Sequence, residues 1–204
     1  LRAMSASQPV NRRATDAENS ARSEMYRFVA ALLSTAPNQE LIDGIAVLTG
    51  DQTPLGHAIT ALSDSARTAV ASAVEREFFD LFIGVGRGEL LPYASFYQTG
   101  FLNERPLAEL RGDLARIGVA RVEGRHEPED HIALLLEVMA DLAAGVLDVD
   151  AAVEADFFAR HIAPWAAQFF DDLAIAPSAS FYRPVAEIGR LLVDIEARAF
   201  SLAA

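Results

Sequence analysis

The chain combines 204 residues with a net charge of −12, 29 acidic residues standing against 17 arginines, and it contains neither cysteine nor lysine. That length supports one domain with a real core, and the missing residues exclude disulfides, thiolate metal sites and a cysteine nucleophile while arguing against Walker-type, Schiff-base and kinase chemistry, each of which needs a lysine. So acidic a surface repels phosphate backbones and anionic lipid, so nucleic acid and membrane surfaces are poor partners and a cationic peptide is a good one.

In chain order, residues 1–15 read as a polar, disordered tail and 16–204 as a single helical domain. Arg12-Arg13 invites an export-signal reading, but Ala14-Thr15-Asp16-Ala17-Glu18-Asn19 follows in place of an apolar stretch, so a cytoplasmic chain is expected. No apolar run approaches the ~20 residues that span a bilayer, and no stable membrane insertion is expected. A first helix from about Asp16 to Ser34 points Met25, Phe28, Val29, Leu32 and Leu33 inward, and Ala36-Pro37-Asn38 ends it. A shorter helix covers Gln39 to Leu48. Helical pattern returns near His57 and runs through Val70, Val74, Phe78, Leu81 and Phe82, with a break at Ser63-Asp64-Ser65.

The character then changes. From Ile83 to Gly100 the chain is rich in glycine and aromatics without helical period; a loop this long inside a helical domain is usually functional or else disordered, and the aromatics argue that it is ordered and packed. Its 84–100 portion is the expected hinge, since Gly84, Gly86 and Gly88 free the backbone. A helix resumes near Pro106 with Leu107, Leu110, Leu114 and Ile117. The next begins at Glu127, with Pro128 in its first turn and Glu127, Glu129 and Asp130 at the positive end of the helix dipole. Ile132, Leu135, Leu136, Met139 and Leu142 share one face, widened by Leu134 and Val138. Asp148 to about Leu173 is helical with a break at Pro164. A last helix, Ser180 to Leu202, turns Phe181, Val185, Ile188, Leu191, Leu192, Ile195 and Phe200 inward. The expected fold is all-α, a single-domain bundle of seven to ten helices with one long glycine/aromatic loop.

Three constellations bear on chemistry. Glu127, Asp130, His131 and Glu137, with His126 beside them, are metal-ligand types, but adjacent Asp130 and His131 point ~100° apart and no HExxH pair exists. An acidic helix cap with a hydrogen-bonded His131 is the plainer reading. Gly84-Val85-Gly86-Arg87-Gly88 follows a helix, where a nucleotide loop would follow a strand. Pro92-Tyr93-Ala94-Ser95-Phe96-Tyr97 is either a satellite core or the lining of an apolar peptide groove, and no elbow motif makes Ser95 a nucleophile. No metal, no cofactor and no catalytic residue are expected. The residues taken singly name no function.

Their order does more. Phe78-Phe79-Asp80-Leu81-Phe82-Ile83-Gly84, then Leu91-Pro92-Tyr93-Ala94-Ser95-Phe96-Tyr97, then Glu127-Pro128-Glu129-Asp130-His131, then His161-Ile162-Ala163-Pro164-Trp165 and Phe181-Tyr182-Arg183 resembles the TorD/DmsD/NarJ-type family. The resemblance runs from about Arg22 to Phe200. It implies an all-helical cytoplasmic chaperone, not an enzyme, that binds the twin-arginine signal peptide of an apo molybdenum-cofactor oxidoreductase. Its client would be the catalytic subunit of a dimethyl sulfoxide, trimethylamine N-oxide or formate enzyme, held from export until the cofactor is inserted. On the same resemblance, Asp130 and His131 match the acidic–histidine pair at the recognition site, and Phe78, Leu81, Phe82, Pro92, Tyr93, Ser95 and Tyr97 match the signal-binding segment. Relatives often carry tryptophan at the positions of Phe78, Tyr93 or Tyr97, which implies a different groove shape here.

Elementary physics fits such a client. A basic head followed by an apolar stretch suits an acidic mouth beside an aromatic groove. Asp130, flanked by Glu127 and Glu129, is then expected to meet arginine, in bidentate fashion. The competing expectations are a metal- or nucleotide-dependent hydrolase using Asp130 and His131, and a subunit that stays bound to its oxidoreductase. A monomer is expected, with a domain-swapped dimer through the long loop as the alternative.

Overall fold

The computed structural model describes residues 8–120, 127–147 and 149–203. His126 and residues 1–7 of the expected tail lie outside the described residues. Ten α-helices follow one another: α1 (Gln8–Ser34), α2 (Gln39–Ala46), α3 (Pro54–Thr68), α4 (Ala71–Phe78), α5 (Ala94–Thr99), α6 (Arg105–Arg116), α7 (Ile132–Ala143), α8 (Ala151–Phe157), α9 (Ala166–Ile175) and α10 (Tyr182–Ala203). Two of them run on into a single π-helical turn, α4 through Phe79–Ile83 and α8 through Phe158–Ile162. Among the described residues there is no strand, and no helix is long and apolar enough to cross a membrane. The all-α expectation holds.

α7 is the centre of the bundle. Ile132, Ala133, Leu135, Leu136, Met139, Ala140, Leu142 and Ala143 are all buried, because apolar residues occupy more than one face of the helix. α1 packs along it, with Tyr26, Val29, Ala30, Leu32 and Leu33 buried in the core, while α10 closes the core against α3 and α9. α1 begins at Gln8, so residues 8–15, expected in the tail, are helical; Pro9 sits in the first turn, where its missing N–H costs nothing.

Other boundaries moved for local reasons. The break expected at Ser63-Asp64-Ser65 falls at Ala69–Val70, since Ser63 turns its hydroxyl to the Ala46 carbonyl at 3.0 Å and α3 runs on. On α10, Ile195 faces outward at 46% exposure while Glu196 is buried. Glu196 is held there by Arg22 and by the Tyr26 hydroxyl, which donates at 2.9 Å, and Arg22 also reaches Glu154 at 2.5 Å. This charged knot joins α1, α8 and α10, and breaking it would strand a buried carboxylate.

A second knot sits where α6 meets the second π turn. His161 Nε2 lies 2.6 Å from buried Asp113, which Arg160 also reaches at 2.7 Å, and Trp165 donates its indole N–H to the His161 carbonyl at 2.7 Å. Burial, reinforced by the charge of Arg160, pushes the His161 imidazole down to about 4.

Candidate functional site

Around one opening stand Ser34 and Thr35 from the end of α1, Phe78, Phe82 and Ile83 from α4 and its π turn, Pro92 and Tyr93, Glu127, and His131, Ala133 and Leu134 at the start of α7. The groove they form has a volume of about 420 Å³. Six of the ten residues that the sequence marks as a site therefore share one surface: Phe78, Phe82, Pro92, Tyr93, Glu127 and His131.

The aromatic wall is built from behind. Phe78 and Phe82 are one helical turn apart and meet edge-on at 5.0 Å, and Phe82 in turn packs on Tyr182 at 5.5 Å and Phe169 at 6.5 Å. The π turn inserts an extra residue, so the Gly84 N–H bonds the Phe79 carbonyl at 2.7 Å. It is clamped at both ends to the segment leading into α10. Upstream, the Glu77 carboxylate accepts from the N–H groups of Ser180, Phe181 and Tyr182 at 2.8–3.1 Å. Downstream, Glu89 accepts from the Ser178 hydroxyl at 2.5 Å.

The opposite wall comes from a short pairing of two non-adjacent segments. The Ile132 N–H donates to the Pro92 carbonyl at 2.8 Å, and the Ala94 N–H to the Asp130 carbonyl at 3.0 Å, so Tyr93 and His131 lie side by side as a single antiparallel bridge. Their rings meet edge-on at 5.1 Å. His131 caps α7: its Nδ1 accepts from the Ala133 N–H at 3.2 Å. The Tyr93 hydroxyl donates to the Glu127 carboxylate. Although Glu127 as a residue is exposed, its carboxyl is tucked in at this contact, and partial burial raises it above the ordinary carboxylate range.

Asp130 is placed otherwise than expected. It is 0% exposed, and its Oδ2 accepts from the Ser95 N–H at 2.8 Å. The expected helix start at Glu127 lies five residues too early; α7 starts at Ile132, and 127–130 form the turn before it. Asp130 therefore points inward at the start of α5, where the positive helix end stabilises its charge. In this placement Asp130 does not face the solvent side on which the sequence sets it to meet arginine. Leu81 and Ser95 are also fully buried, and Tyr97 turns away to Trp165 and to Asp172, which its hydroxyl meets at 3.0 Å. Burial and the Asp172 charge raise the Tyr97 hydroxyl well above its ordinary value.

Ser34, Thr35, Ile83, Ala133 and Leu134 line the groove without having been marked in the sequence. Ile83 and Leu134 had a signal, the first following Phe82 within a quoted motif, the second widening an already apolar face. For Ser34 and Thr35 there was none, because only the packing of α1 against α7 brings a helix end there.

A family model described as nitrate reductase delta subunit matches residues 49–171, more than half of the chain. The chain belongs to this family. The motif order that resembles the TorD/DmsD/NarJ-type family thus runs through a chain that the nitrate reductase delta subunit family includes. The chaperone protein TorD of Vibrio cholerae (O395) is 33% identical over 102 residues, covering 46% of this chain and 46% of the relative; the chain thus spans about half that relative's length. TorD of Vibrio atlanticus is 28% identical over 178 residues, covering 76% of this chain and 83% of its own. Among solved structures, a candidate redox enzyme maturation protein from Archaeoglobus fulgidus superposes with a TM-score of 0.56 at 18% identity, over 85% of this chain and 93% of the other. At that identity the likeness speaks for the helical fold alone.

Proposed function

We propose that this chain is a cytoplasmic maturation chaperone for a molybdenum-cofactor oxidoreductase of the dimethyl sulfoxide, trimethylamine N-oxide or formate type. It binds the twin-arginine signal peptide of the apo catalytic subunit, seats the apolar stretch in the groove between α1, α4 and α7, and delays export until the cofactor is in place. The observation that carries this reading is the convergence of Phe78, Phe82, Pro92 and Tyr93 with Glu127 at one opening, in a chain whose curated relatives are named TorD chaperones. Apolar walls supply area, and Glu127 sets a carboxylate at their rim.

Ile83 is the most informative side chain to change, because it lines the groove yet is half exposed, so its loss leaves the core intact. Fully burying an isoleucine is worth about 1.5–3 kcal/mol and Ile83 has about half of its surface left to bury, so Ile83→Ser should weaken a twin-arginine signal peptide about four- to tenfold. Tyr93→Ala should act in the same direction. Val146→Ser, at an exposed site elsewhere, should leave affinity unchanged. Wild-type affinity in both groove variants would overturn the assignment.

A further inference from the structure

The groove does not end at Ser34. On its far side that residue also lines a second concavity of about 410 Å³, formed with Arg27, Ala30, Ala31, Glu137 and Asp141. The two hollows follow one line, the seam between antiparallel α1 and α7. Arg27, Ala30, Ala31 and Ser34 recur at helical spacing along one side, and Leu134, Glu137 and Asp141 along the other. From Ser34 to Arg27 the seam climbs about 10 Å at 1.5 Å per residue. Alanine at 30 and 31 keeps its floor low.

The chemistry changes along that line. Near the π turn the walls are aromatic and aliphatic; past Ser34 they are charged. Arg27, Glu137 and Asp141 line it there, two carboxylates and one guanidinium. Arg27 Nη2 donates to Asp141 at 2.9 Å, in an ion pair whose members are 50% and 44% exposed. Exposed pairs are worth only ~0–1 kcal/mol, so this one exchanges readily for another guanidinium.

We propose that the α1–α7 furrow is the receptor for the basic head of the same peptide whose apolar stretch fills the groove, with Arg27 holding the place of a client arginine until binding displaces it. This inference rests on the groove reading and adds direction and selectivity to it. A segment with guanidinium groups ahead of an apolar run lies along the seam with its head toward Asp141 and its apolar end toward Phe82. The reverse orientation sets the apolar run against the charged Arg27–Asp141 pair and the arginines against the aromatic wall. Arg27 thereby acts as an internal competitor, and its removal and the removal of its partner have opposite signs.

The experiment titrates Arg27→Gln, Asp141→Asn and the distant control Arg67→Gln with two synthetic peptides, a twin-arginine signal peptide and the same peptide with both arginines changed to glutamine. Both furrow positions are half exposed, so the variants fold. Arg27→Gln should bind the arginine peptide about two- to fivefold tighter, and Asp141→Asn about two- to fivefold weaker. Arg67→Gln should match wild type, and none of the three should change affinity for the glutamine peptide. A photo-crosslinker at the peptide head should label α1 or α7 within 27–34 or 137–141. If wild type binds the arginine peptide but all three variants bind it equally, the furrow proposal is overturned while the groove reading stands. If wild type binds neither peptide, both are overturned.

Discussion

Asp130 fastens the start of α5 to the turn before α7 through a carboxylate that solvent does not reach. What depends on it is the placing of its neighbours: the main-chain bridge beside it sets Tyr93 against His131 and brings the Tyr93 hydroxyl to Glu127. Asp130→Ala leaves the Ser95 N–H without its acceptor in the interior and should cost about 1–3 kcal/mol of stability. Asp130→Asn keeps a carbonyl oxygen for that N–H and should cost less, while holding peptide affinity close to wild type. A direct contact with client arginines would predict the reverse, Asn losing as much affinity as Ala. Thermal melts and peptide titrations on the two variants decide between these. Leu135→Ala calibrates the melts, since a fully buried leucine truncated to alanine costs ~2–5 kcal/mol.

At the scale of elements, the segment from the first π turn to α5 is less of a loop than its composition suggests. The N–H groups of Glu89 and Leu90 donate to the Asp80 and Leu81 carbonyls at 3.1 and 2.8 Å, so the chain folds back onto the turn it has just left. A Cβ at Gly88 would sit 2.5 Å from the Phe82 carbonyl carbon, which is why only glycine allows that approach. Freedom is left between these anchors, around Val85, which is 98% exposed. We propose that the hinge lies there, within 84–88, narrower than the 84–100 expected from glycine content. Hydrogen exchange should find amides 85–87 fast in the free protein and slowed by bound signal peptide, with 89 and 90 protected in both states. Equal rates at 85–87 with and without peptide would count against a hinge.

These elements also show what a sequence can and cannot carry. Period and end signals placed α2 and α6 closely, and the C-terminal ends of α1 and α7, because their apolar residues recur on one face and point to one core. α5 escaped because six residues make too short a window, and its aromatics serve two directions: Tyr97 packs on Trp165, Phe96 under Arg87. The π turns leave no periodic mark at all. Asp130 was misread because Pro128 suits a helix start, while the deciding contacts, His131 to Ala133 and Asp130 to Ser95, depend on partners up to 35 residues away. The site was legible as a set of segments. Which side chains face outward was not, since that is decided by packing.

For the whole molecule, the question is how binding energy divides between charge and area. A net charge of −12 draws a cationic peptide from a distance, and salt screens that attraction within about 10 Å at 0.1 M. Ion pairs at the rim and furrow are exposed and contribute ~0–1 kcal/mol each. Three leucine-sized side chains buried in the groove supply roughly 5–9 kcal/mol before ordering costs. On the proposed reading, area sets affinity, and charge sets orientation and choice of partner. The most direct measurement is titration calorimetry of the wild-type chain with a twin-arginine signal peptide and with its counterpart carrying serines throughout the apolar stretch, each at low and high salt. The account predicts a negative heat-capacity change and modest salt sensitivity for the native peptide, and near-complete loss of binding for the serine peptide. A serine peptide that binds like the native one at low salt and is released at high salt would contradict it, leaving only charge attraction to an acidic surface.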